Sequence, residues 1–311
     1  MLDDRIRKNR TTYSRLLAIP SFSTIYSWQN WVGSIGAHYE KTVGDPGGIY
    51  SGYIMNNYRS FQRSYTDKLS ENDRMNCDVS LAYRNALSAT FVSFNVSYTH
   101  TRNNQIYGYD YHGATSVIQA VDYNATSDAC SAGIDASKGF DWLQTTLRIF
   151  GNYSHFSSEE LIAQHIYPYH SNTYNIGAWG TVTPLSWLNF VLNSGYSWSR
   201  SFTDGNEKGF AQTVRSATQQ FKMNVFVTKE LSLTAIIEDN YNNLTATNCH
   251  AWFGDVQMKY KLKRIDLELD MNNVFNQKTY TRVNYSNLDI YTSTSQLRPF
   301  NVIATARFKL F

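Results

Sequence analysis

Three groups of residues in this sequence have side chains that could carry chemistry, and the densest is a set of charges near the carboxyl end. Asp266, Glu268 and Asp270 alternate with apolar residues, and Lys259 and Lys261 alternate in the same way just before them. Alternate residues of a β-strand share one face, so the two runs predict neighbouring strands that each carry a charged face. The cluster is either a ligand or proton site or a polar wall with charges paired across strands, and we favour the wall.

Histidines form the second group. His165 and His170 are five residues apart with a proline between them, a spacing that does not fit two ligands on one helix face, so we predict no metal site there. His155 and Ser157 could act as the base and nucleophile of a hydrolase, but we find no acid placed to orient the histidine, and we interpret both as solvated loop residues. No glycine-rich phosphate loop occurs. We therefore predict no catalytic residue, no metal and no cofactor.

The aromatic segment 44–72 is the third group. It contains Tyr50, Tyr53, Tyr58 and Phe61 among glycines and asparagines. Long aromatic loops on a rigid scaffold often bind ligands, and sugar rings stack well on tyrosine. Such rings also pack on one another without a ligand, and we favour packing while leaving the binding hypothesis open. The sequence alone names no ligand-binding residue.

Composition limits the class of protein. The 311 residues are 42% hydrophobic and 17% charged with a formal net charge of +3, a balance that argues against a nucleic-acid partner. Mean hydropathy is −0.43, and no run of eighteen apolar residues predicts a transmembrane helix. A membrane β-barrel has only alternate residues facing lipid, so the composition fits such a barrel as well as a soluble β-sandwich.

The three cysteines, Cys77, Cys130 and Cys249, are an odd number, and their spacing is not that of metal ligands. We interpret them as apolar strand residues.

Alternation with a period of two recurs along the chain and predicts about thirteen strands. Most reach the length of about 9–11 residues that a membrane-spanning strand needs. Residues 105–122 are predicted to add a strand pair outside the membrane. The thirteen segments are 20–28, 31–43, 73–85, 89–104, 125–138, 141–155, 171–183, 187–202, 210–227, 230–244, 250–263, 265–276 and 298–311.

Short and long connectors alternate between these strands. The short ones are 29–30, 85–88, 139–140, 184–186, 228–230 and 263–264, and the long ones are 44–72, 105–124, 156–170, 203–209, 245–249 and 277–297. Periplasmic turns and long extracellular loops segregate in this way in outer-membrane barrels. Trp31, Phe140, Trp142 and Trp187 near the short turns suit an interfacial girdle. We predict one all-β domain over residues 1–311, an antiparallel meander that forms a transmembrane β-barrel wall.

Two motifs then resemble a known family. Residues 272–276 read Asn-Asn-Val-Phe-Asn and are followed by Tyr280, and residues 298–311 run from Arg-Pro-Phe to Arg-Phe-Lys-Leu-Phe. The first resembles the penultimate barrel strand, and the second the closing strand, of TonB-dependent outer-membrane receptors of the Bacteroidetes type. Residues 83–87 and 137–140 also resemble turns of this barrel. On these residues the chain resembles the C-terminal barrel portion of such a receptor.

This resemblance implies an incomplete part of a barrel of about twenty-two strands around an N-terminal plug. It also implies a non-enzymatic receptor for uptake of a glycan, siderophore or similar nutrient, located in the Gram-negative outer membrane as part of a longer precursor. The implied partners are outer-membrane lipid, the plug and remaining strands, TonB through that missing region, and a surface lipoprotein. The alternatives are an outer-membrane barrel hydrolase and a non-transport structural or adhesive barrel.

Three further expectations concern the chain as a barrel wall. Leu267, Leu269 and Met271 should face lipid and Glu268 and Asp270 the lumen, so Leu269→Arg should impair folding more than Glu268→Arg. Segment 44–72 should be extracellular and the turn 228–230 periplasmic. An odd strand count leaves unpaired edges, and no signal sequence opens the chain, so we expect that it is not an autonomous transporter.

Overall fold

The computed structural model describes residues 2–4, 9–11, 17–44, 52–64, 66, 68–112, 115–162, 164–204, 211–244, 249–286 and 289–308. This part of the chain is built of β-strands apart from one 3-10 turn, Trp142–Gln144. The strands are β1 Leu2–Asp4, β2 Asn9–Thr11, β3 Ser21–Trp28, β4 Trp31–Val43, β5 Ile54–Asn57, β6 Ser60–Ser64, β7 Glu71–Asn85, β8 Thr90–His112, β9 Thr115–Phe140, β10 Thr145–Ile162, β11 His165–Leu185, β12 Leu188–Thr203, β13 Ala211–Phe226, β14 Leu231–Asn242, β15 His250–Lys261, β16 Ile265–Asn272, β17 Thr279–Ser286, β18 Asp289–Gln296 and β19 Asn301–Phe308.

Thirteen strands form the wall of the molecule. Their hydrogen-bonded order is β19-β16-β15-β14-β13-β12-β11-β10-β9-β8-β7-β4-β3, and every neighbour in this path is antiparallel. The prediction of an antiparallel meander of about thirteen strands is confirmed. Within the described residues β3 pairs only with β4 and β19 only with β16, so the sheet is not closed, as expected for an incomplete barrel. The assignment of residues 1–311 to one domain stays a prediction.

One face of this wall is apolar, and we call it the apolar face. The strand registers place apolar side chains opposite one another, and two such rows are Ile35, Val79, Val96, Ala132 and Leu233, Met258, Leu269, Ala304. Because the period of a strand is two, the residues between them all point the other way. Leu269 therefore lies on the apolar face and Glu268 on the opposite one, as the alternation predicts.

The opposite face, which we call the polar face, is covered by hydroxyl and amide side chains. One row crosses nine strands through Ser34, Ser80, Asn95, Gly133, Asn152, Asn175, Ser197, Ser216 and Asn242. Neighbours in such rows bond to each other, for example Ser34 Oγ to Ser80 Oγ at 2.7 Å. Cross-strand polar pairs of this kind stabilise a sheet by about 0.2–1 kcal/mol each.

The two ends of the wall differ. At one end, the turn end, consecutive strands are joined by two to four residues, as between β3 and β4 or β7 and β8. Trp31, Trp142 and Trp187 lie there and are 39–74% exposed, and the Trp31 ring is 5.0 Å from that of Tyr83. At the other end, the loop end, several strands are longer than the span of the wall, and the connections between β4 and β7 and between β16 and β19 each contain an additional hairpin. The predicted short turns are confirmed, whereas the predicted long connections are confirmed only in part, because β8–β9 and β10–β11 are joined by two residues each.

Several predicted boundaries were wrong, mostly at the loop end. Segment 156–170 is not a loop, because β10 and β11 stay paired until Ile162 and His165. Pro168 pairs with Glu159 inside this hairpin, which shows that proline without an N–H is tolerated there. Segments 105–112 and 115–124 continue β8 and β9 as one hairpin, so the predicted strand pair is part of the wall strands. At the turn end, β10 begins at Thr145 rather than 141, after the 3-10 turn.

Other predicted loops contain strands too. Segment 44–72 holds the hairpin β5–β6, and segment 277–297 holds the hairpin β17–β18. The predicted strand 265–276 ends at Asn272, because Asn273 and Asn276 adopt φ values of 55° and 53°, which a strand does not permit. The predicted ends at 210 and 309–311 lie outside the described residues.

At the loop end, extended strands pack into a cap. β6 pairs with β9 in parallel, and the end of β10 pairs with β8 in parallel through Leu161 and Gly108. Most buried apolar residues of the described chain lie here, namely Leu69, Ile106, Val117, Ala120, Ala125 and Tyr169. A hydrophobic core, rather than hydrogen bonds alone, therefore holds the cap together. The described residues contain no helix of the length and hydrophobicity that crossing a membrane requires.

Candidate ligand-binding site

The hairpin β17–β18 folds back over the polar face of the wall. Asn242 Nδ2 donates a hydrogen bond of 3.1 Å to the carbonyl oxygen of Val283, whose side chain is only 5% exposed. The rings of Phe253 and Tyr280 meet edge to face with centroids 5.7 Å apart. Phe253 alternates with the apolar-face residues of β15, so these contacts place the hairpin on the polar side.

A tight turn between β16 and β17 sets the direction of this hairpin. The Asn273 side chain donates to the carbonyl oxygens of Gln277 and Arg298, both at 2.8 Å, and its Oδ1 accepts from the Gln277 backbone N–H. Asn276 Oδ1 accepts from the backbone N–H of Phe300 at 3.1 Å. The two asparagines thus fasten the start of the hairpin to residues 297–300, which lead from β18 back to β19 and are called the return segment here. Asparagine suits both roles, because it tolerates positive φ and bonds to nearby backbone.

Glycine 254 makes room for this turn. The Phe275 ring lies over Gly254, where an added Cβ would come within 2.7 Å of it, and the Val274 N–H donates to the Gly254 carbonyl. The Asn-Asn-Val-Phe-Asn motif is therefore a turn that locks onto β15. Sequence analysis singled out this motif only by its resemblance to a known family. The motif also contained a physical signal for a turn, because asparagine is among the residues that most readily adopt a positive φ.

A cavity of about 690 Å³ lies between the hairpin and strands β12–β15. Its lining includes Ser216, Thr218 and Asn240 from the wall and Thr281 and Thr292 from the hairpin. A second cavity of about 610 Å³ lies next to it, lined by residues of β14–β16, the turn and the return segment. Both are lined by Asn240 and Tyr280, so the two adjoin at these side chains. Volumes of this size are typical of small-molecule sites.

Few charges line these cavities. In the larger one, the described lining contains one permanently charged side chain, Arg282, together with His250, whose Nδ1 is 2.9 Å from a carboxylate oxygen of Asp239. The smaller cavity has the carboxylates of Glu238 and Asp255 and the guanidinium of Arg298. Donors already bond to both carboxylates.

Those donors are neutral groups of the wall and of the turn. Asn240 Nδ2 and Gln220 Nε2 donate to Glu238 at 2.7 and 3.0 Å. The Asn273 backbone N–H donates to Asp255 Oδ1 at 2.9 Å. Both acids are thereby held in place on the polar face, where they add negative charge to the smaller cavity.

The charged cluster predicted from the sequence is present as a network across strands. Glu268 is 3.2 Å from Lys259 Nζ and 3.1 Å from Arg307 Nη2, and its side chain is 13% exposed. Gln257 Nε2 donates to both Glu268 and Asp270, at 2.7 and 2.6 Å. With Glu268 shared between two cations, the geometry favours the polar-wall interpretation over a proton or ligand site.

The histidines lie on strands rather than in a loop. His155 and Ser157 both belong to β10, which corrects the loop interpretation. The Nδ1 atom of His155 is 2.9 Å from the amide oxygen of Asn172, and its ring stacks on His170 at 6.2 Å. His170 Nε2 is 3.3 Å from Asp204. An amide orients His155, where a hydrolase would use a carboxylate. The described residues contain no group of three or more potential metal ligands.

Ring packing dominates the described part of segment 44–72. Tyr53 and Phe61 meet edge to face at 6.5 Å, and the guanidinium of Arg63 lies 5.1 Å from the Tyr53 ring centroid. Tyr58 is 77% exposed beneath the Arg59 guanidinium. Tyr50 lies outside the described residues. Cys77, Cys130 and Cys249 are free thiols, the first two half-buried and the third exposed.

No family model matches the sequence, and a sequence search of the curated proteins finds no match. Solved structures do match. The ferric enterobactin receptor PfeA from Pseudomonas aeruginosa, in complex with BCV-L6, is similar over 87% of this chain at 12% identity and a TM-score of 0.51. A PfeA mutant in complex with enterobactin gives 13% identity and a TM-score of 0.52. The ferric yersiniabactin uptake receptor FyuA from Yersinia pestis is similar over 94% of this chain at 10% identity and a TM-score of 0.49.

The likeness to PfeA concerns the fold. This chain spans 42% of the PfeA chain, so it corresponds to part of the barrel of that receptor. The open antiparallel sheet fits this correspondence. The chain thus has the fold of a barrel portion of a TonB-dependent receptor, as its closing motifs imply.

Proposed function

We propose that this chain forms the C-terminal wall and extracellular ligand-binding surface of a TonB-dependent outer-membrane receptor that takes up a bulky nutrient. The observation that carries the proposal is the division of a thirteen-stranded wall into one mainly apolar and one mainly polar face. In a membrane barrel the apolar face contacts lipid and the polar face lines the lumen. The hairpin β17–β18 would then lie inside the lumen, where a transported ligand passes.

The aromatic belts support a membrane position for the wall. Trp31 and Trp187 lie at the turn end, and Tyr39, Tyr153 and Tyr174 lie towards the loop end, with the Tyr153 and Tyr174 rings 4.8 Å apart. From Trp31 to Tyr39, a rise of about 3.3 Å per residue and a tilt of about 40° give roughly 20 Å along the barrel axis. This is close to the apolar band of about 25 Å in outer-membrane barrels.

The turn end is then periplasmic and the loop end extracellular. Short turns face the periplasm in outer-membrane barrels, and longer excursions face the outside. The cap of β5, β6 and the extended β8–β11 would be the cell-surface structure. Lipid would surround the apolar face. The plug, the remaining strands and the contact with TonB would belong to parts of the receptor outside this chain, and a surface lipoprotein would be a further partner.

Two alternatives are less well supported. A barrel hydrolase needs a base with an orienting acid, whereas His155 bonds to the amide of Asn172. A structural or adhesive barrel has no need of polar cavities between a folded-in hairpin and the wall. The transport proposal accounts for both cavities and for the two faces.

The test is uptake by the source bacterium. A strain lacking the gene should lose uptake of at least one labelled nutrient from a panel of oligosaccharides, ferric siderophores and cobalamin. A protonophore should abolish the same uptake in the parent strain, because TonB-dependent transport uses the proton-motive force. Epitope tags at Asn57 and at Lys229 should be accessible on intact cells only at Asn57. Unchanged uptake of every compound, or tag labelling at Lys229 alone, would contradict the proposal.

A further inference from the structure

We propose that the two adjoining cavities beneath the hairpin β17–β18 form a binding site for a neutral, hydroxyl-rich ligand, namely a short oligosaccharide. This inference rests on the proposed transport function and names the class of its substrate. It follows from the chemistry of the lining, from the small number of charges, and from the aromatic ring at the junction of the two cavities.

The lining is rich in groups that both donate and accept hydrogen bonds. Of the nineteen described residues around the larger cavity, eleven carry a hydroxyl or a neutral amide, which is the chemistry that pairs with sugar hydroxyls. Some of these hydroxyl groups can still form further hydrogen bonds. The Thr218 hydroxyl donates to Asn240 Oδ1 at 3.0 Å, which leaves its two lone pairs. Thr281 and Thr294 share one bond of 3.1 Å, so acceptor sites remain on both hydroxyls.

The charges disfavour a multiply anionic ligand such as a ferric catecholate. Recognition of several negative charges calls for a cluster of arginines or lysines. Among the described lining residues, Arg282 lies at the larger cavity and Arg298 at the smaller one. The carboxylates of Glu238 and Asp255 also line the smaller cavity. Repulsion by these carboxylates would oppose an anionic chelate and leave a neutral ligand unaffected.

Tyr280 supplies the apolar contact that sugar recognition also uses. It lines both cavities and is held edge to face against Phe253 of β15, so its ring is fixed relative to the wall. The C–H groups of a sugar ring pack on such an aromatic face, while its hydroxyls reach the surrounding amides and threonines. Tyr291 provides a matched control, because it belongs to the same hairpin, is 58% exposed and lines neither cavity.

The experiment measures binding to isolated outer membranes of the source bacterium. The strains carry the parent gene, a deletion, or chromosomal Tyr280→Ala, Tyr280→Phe or Tyr291→Ala, with equal receptor amounts checked by immunoblot. The probes are fluorescent neutral oligosaccharides of several linkages, and iron-labelled ferric enterobactin. We expect gene-dependent binding of at least one oligosaccharide and none of ferric enterobactin. Tyr280→Ala should weaken binding about tenfold, Tyr280→Phe should weaken it less because the ring is retained, and Tyr291→Ala should stay within about twofold of the parent.

Each other outcome overturns the inference in a distinguishable way. Gene-dependent binding of ferric enterobactin without any oligosaccharide would overturn the substrate class while leaving the transport function in place. Oligosaccharide binding that Tyr280→Ala does not weaken would overturn the site alone. Binding of neither probe class would overturn the inference, and the uptake panel with a protonophore would then decide separately whether the transport function also fails.

Discussion

At the scale of single residues, Asn273 shows how one polar side chain can fix the direction of a hairpin. It adopts a φ of 55° and makes three side-chain hydrogen bonds that join the turn to the hairpin β17–β18 and to the return segment. Any replacement loses these bonds, and most also strain the backbone. Glycine and alanine separate the two effects, because glycine adopts positive φ without cost.

We predict that Asn273→Gly lowers the free energy of unfolding by about 1–2 kcal/mol through the lost hydrogen bonds. Asn273→Ala should cost about 1–2 kcal/mol more, because alanine is disfavoured at positive φ. Asn276→Gly, which loses only the bond to the Phe300 N–H, serves as the milder control. Urea unfolding of the detergent-solubilised protein measures all three. Equal stability of the glycine and alanine variants would contradict the assigned backbone conformation.

The two faces of the wall can be tested with one pair of arginines. Leu269 lies on the apolar face, and Gln257 lies on the polar face within reach of Glu268 and Asp270. Leu269→Arg should reduce stability in lipid by about 2–4 kcal/mol, whereas Gln257→Arg gains carboxylate partners and should be nearly neutral. Gln257 is a better control than Glu268, because Glu268→Arg would place three cations together. Similar folding yields of the two variants in liposomes would contradict the face assignment.

At the scale of elements, the wall strands were predictable because lipid and lumen impose opposite polarity on alternate residues. β4, with Trp31, Ile35 and Tyr39 against Ser34 and His38, is predicted to its exact ends. The signal fades wherever both faces of a strand are polar. β17 and β18 carry hydroxyl and other polar side chains at both odd and even positions, so no period distinguishes them from a loop. The outer part of β10 was missed for the same reason, since Ser157 to Glu160 has no apolar face.

The candidate site was less accessible to sequence reasoning than the wall. Its cavities exist because the hairpin β17–β18 folds back onto β14 and β15, in a direction set by the turn at Asn273 and Asn276 and held by the bond from Asn242 to Val283. Lining residues such as Thr218 and Thr281 belong to no sequence motif that would predict a binding role. What the sequence did contain was the position of Tyr280 immediately after the turn motif, which resemblance singled out without giving it a role.

The cap depends on a glycine at the contact between two strands. A Cβ added at Gly108 would come within 2.7 Å of both the carbonyl oxygen and the side chain of Leu161. Gly108→Ala should therefore push the end of β10 away from β8 and destabilise the cap by about 1–3 kcal/mol. Gly195→Ala is the matched control, since nothing lies within 4 Å of a Cβ there. Amide hydrogen exchange in 105–112 and 157–162 should rise only in the first variant, and equal exchange in both would exclude this packing role.

A half-buried acid, Glu160, gives the same cap a pH dependence. Burial raises the pKa of Glu160, against the smaller opposing effect of a hydrogen bond from Ser158. The folded protein binds the Glu160 proton more tightly than the unfolded chain does. The protonated carboxyl therefore stabilises the fold fully below the ordinary glutamate pKa of about 4.3, and this stabilisation is lost as pH rises through the raised pKa. Glu160→Gln should therefore slow amide exchange at the tip of β10–β11 at neutral pH and leave it little changed at pH 4, relative to the parent.

Glu159 provides the neighbouring control for this experiment. It accepts hydrogen bonds from the Tyr123 hydroxyl at 2.7 Å and from the Thr126 N–H at 3.1 Å. Glu159→Gln should therefore weaken the tip at neutral pH, which is the opposite sign to Glu160→Gln. If both variants changed exchange in the same direction at neutral pH, the assigned burial of Glu160 would be wrong.

At the scale of the whole molecule, the wall has two open edges among the described residues. β3 pairs only with β4 and β19 only with β16. All eight residues of β3 are exposed, and Ile25 and Tyr26, which point to opposite faces, are each 72% exposed. Unpaired backbone groups cannot remain in hydrocarbon, so a working barrel must supply further strands at both edges.

This requirement predicts how the backbone amides of the edges exchange with solvent. In the chain purified alone in detergent, amides of β3 and β19 should exchange at least about tenfold faster than those of the central strand β11, because one side of each edge has no partner. In native outer membranes the same edge amides should be as protected as β11, since neighbouring strands then complete their hydrogen bonds. The chain alone should also fail to assemble as a heat-modifiable, monomeric barrel. Recovery of such a monomer with fully protected β3 and β19 amides would mean that the two edges pair with each other, and the wall would be a complete barrel.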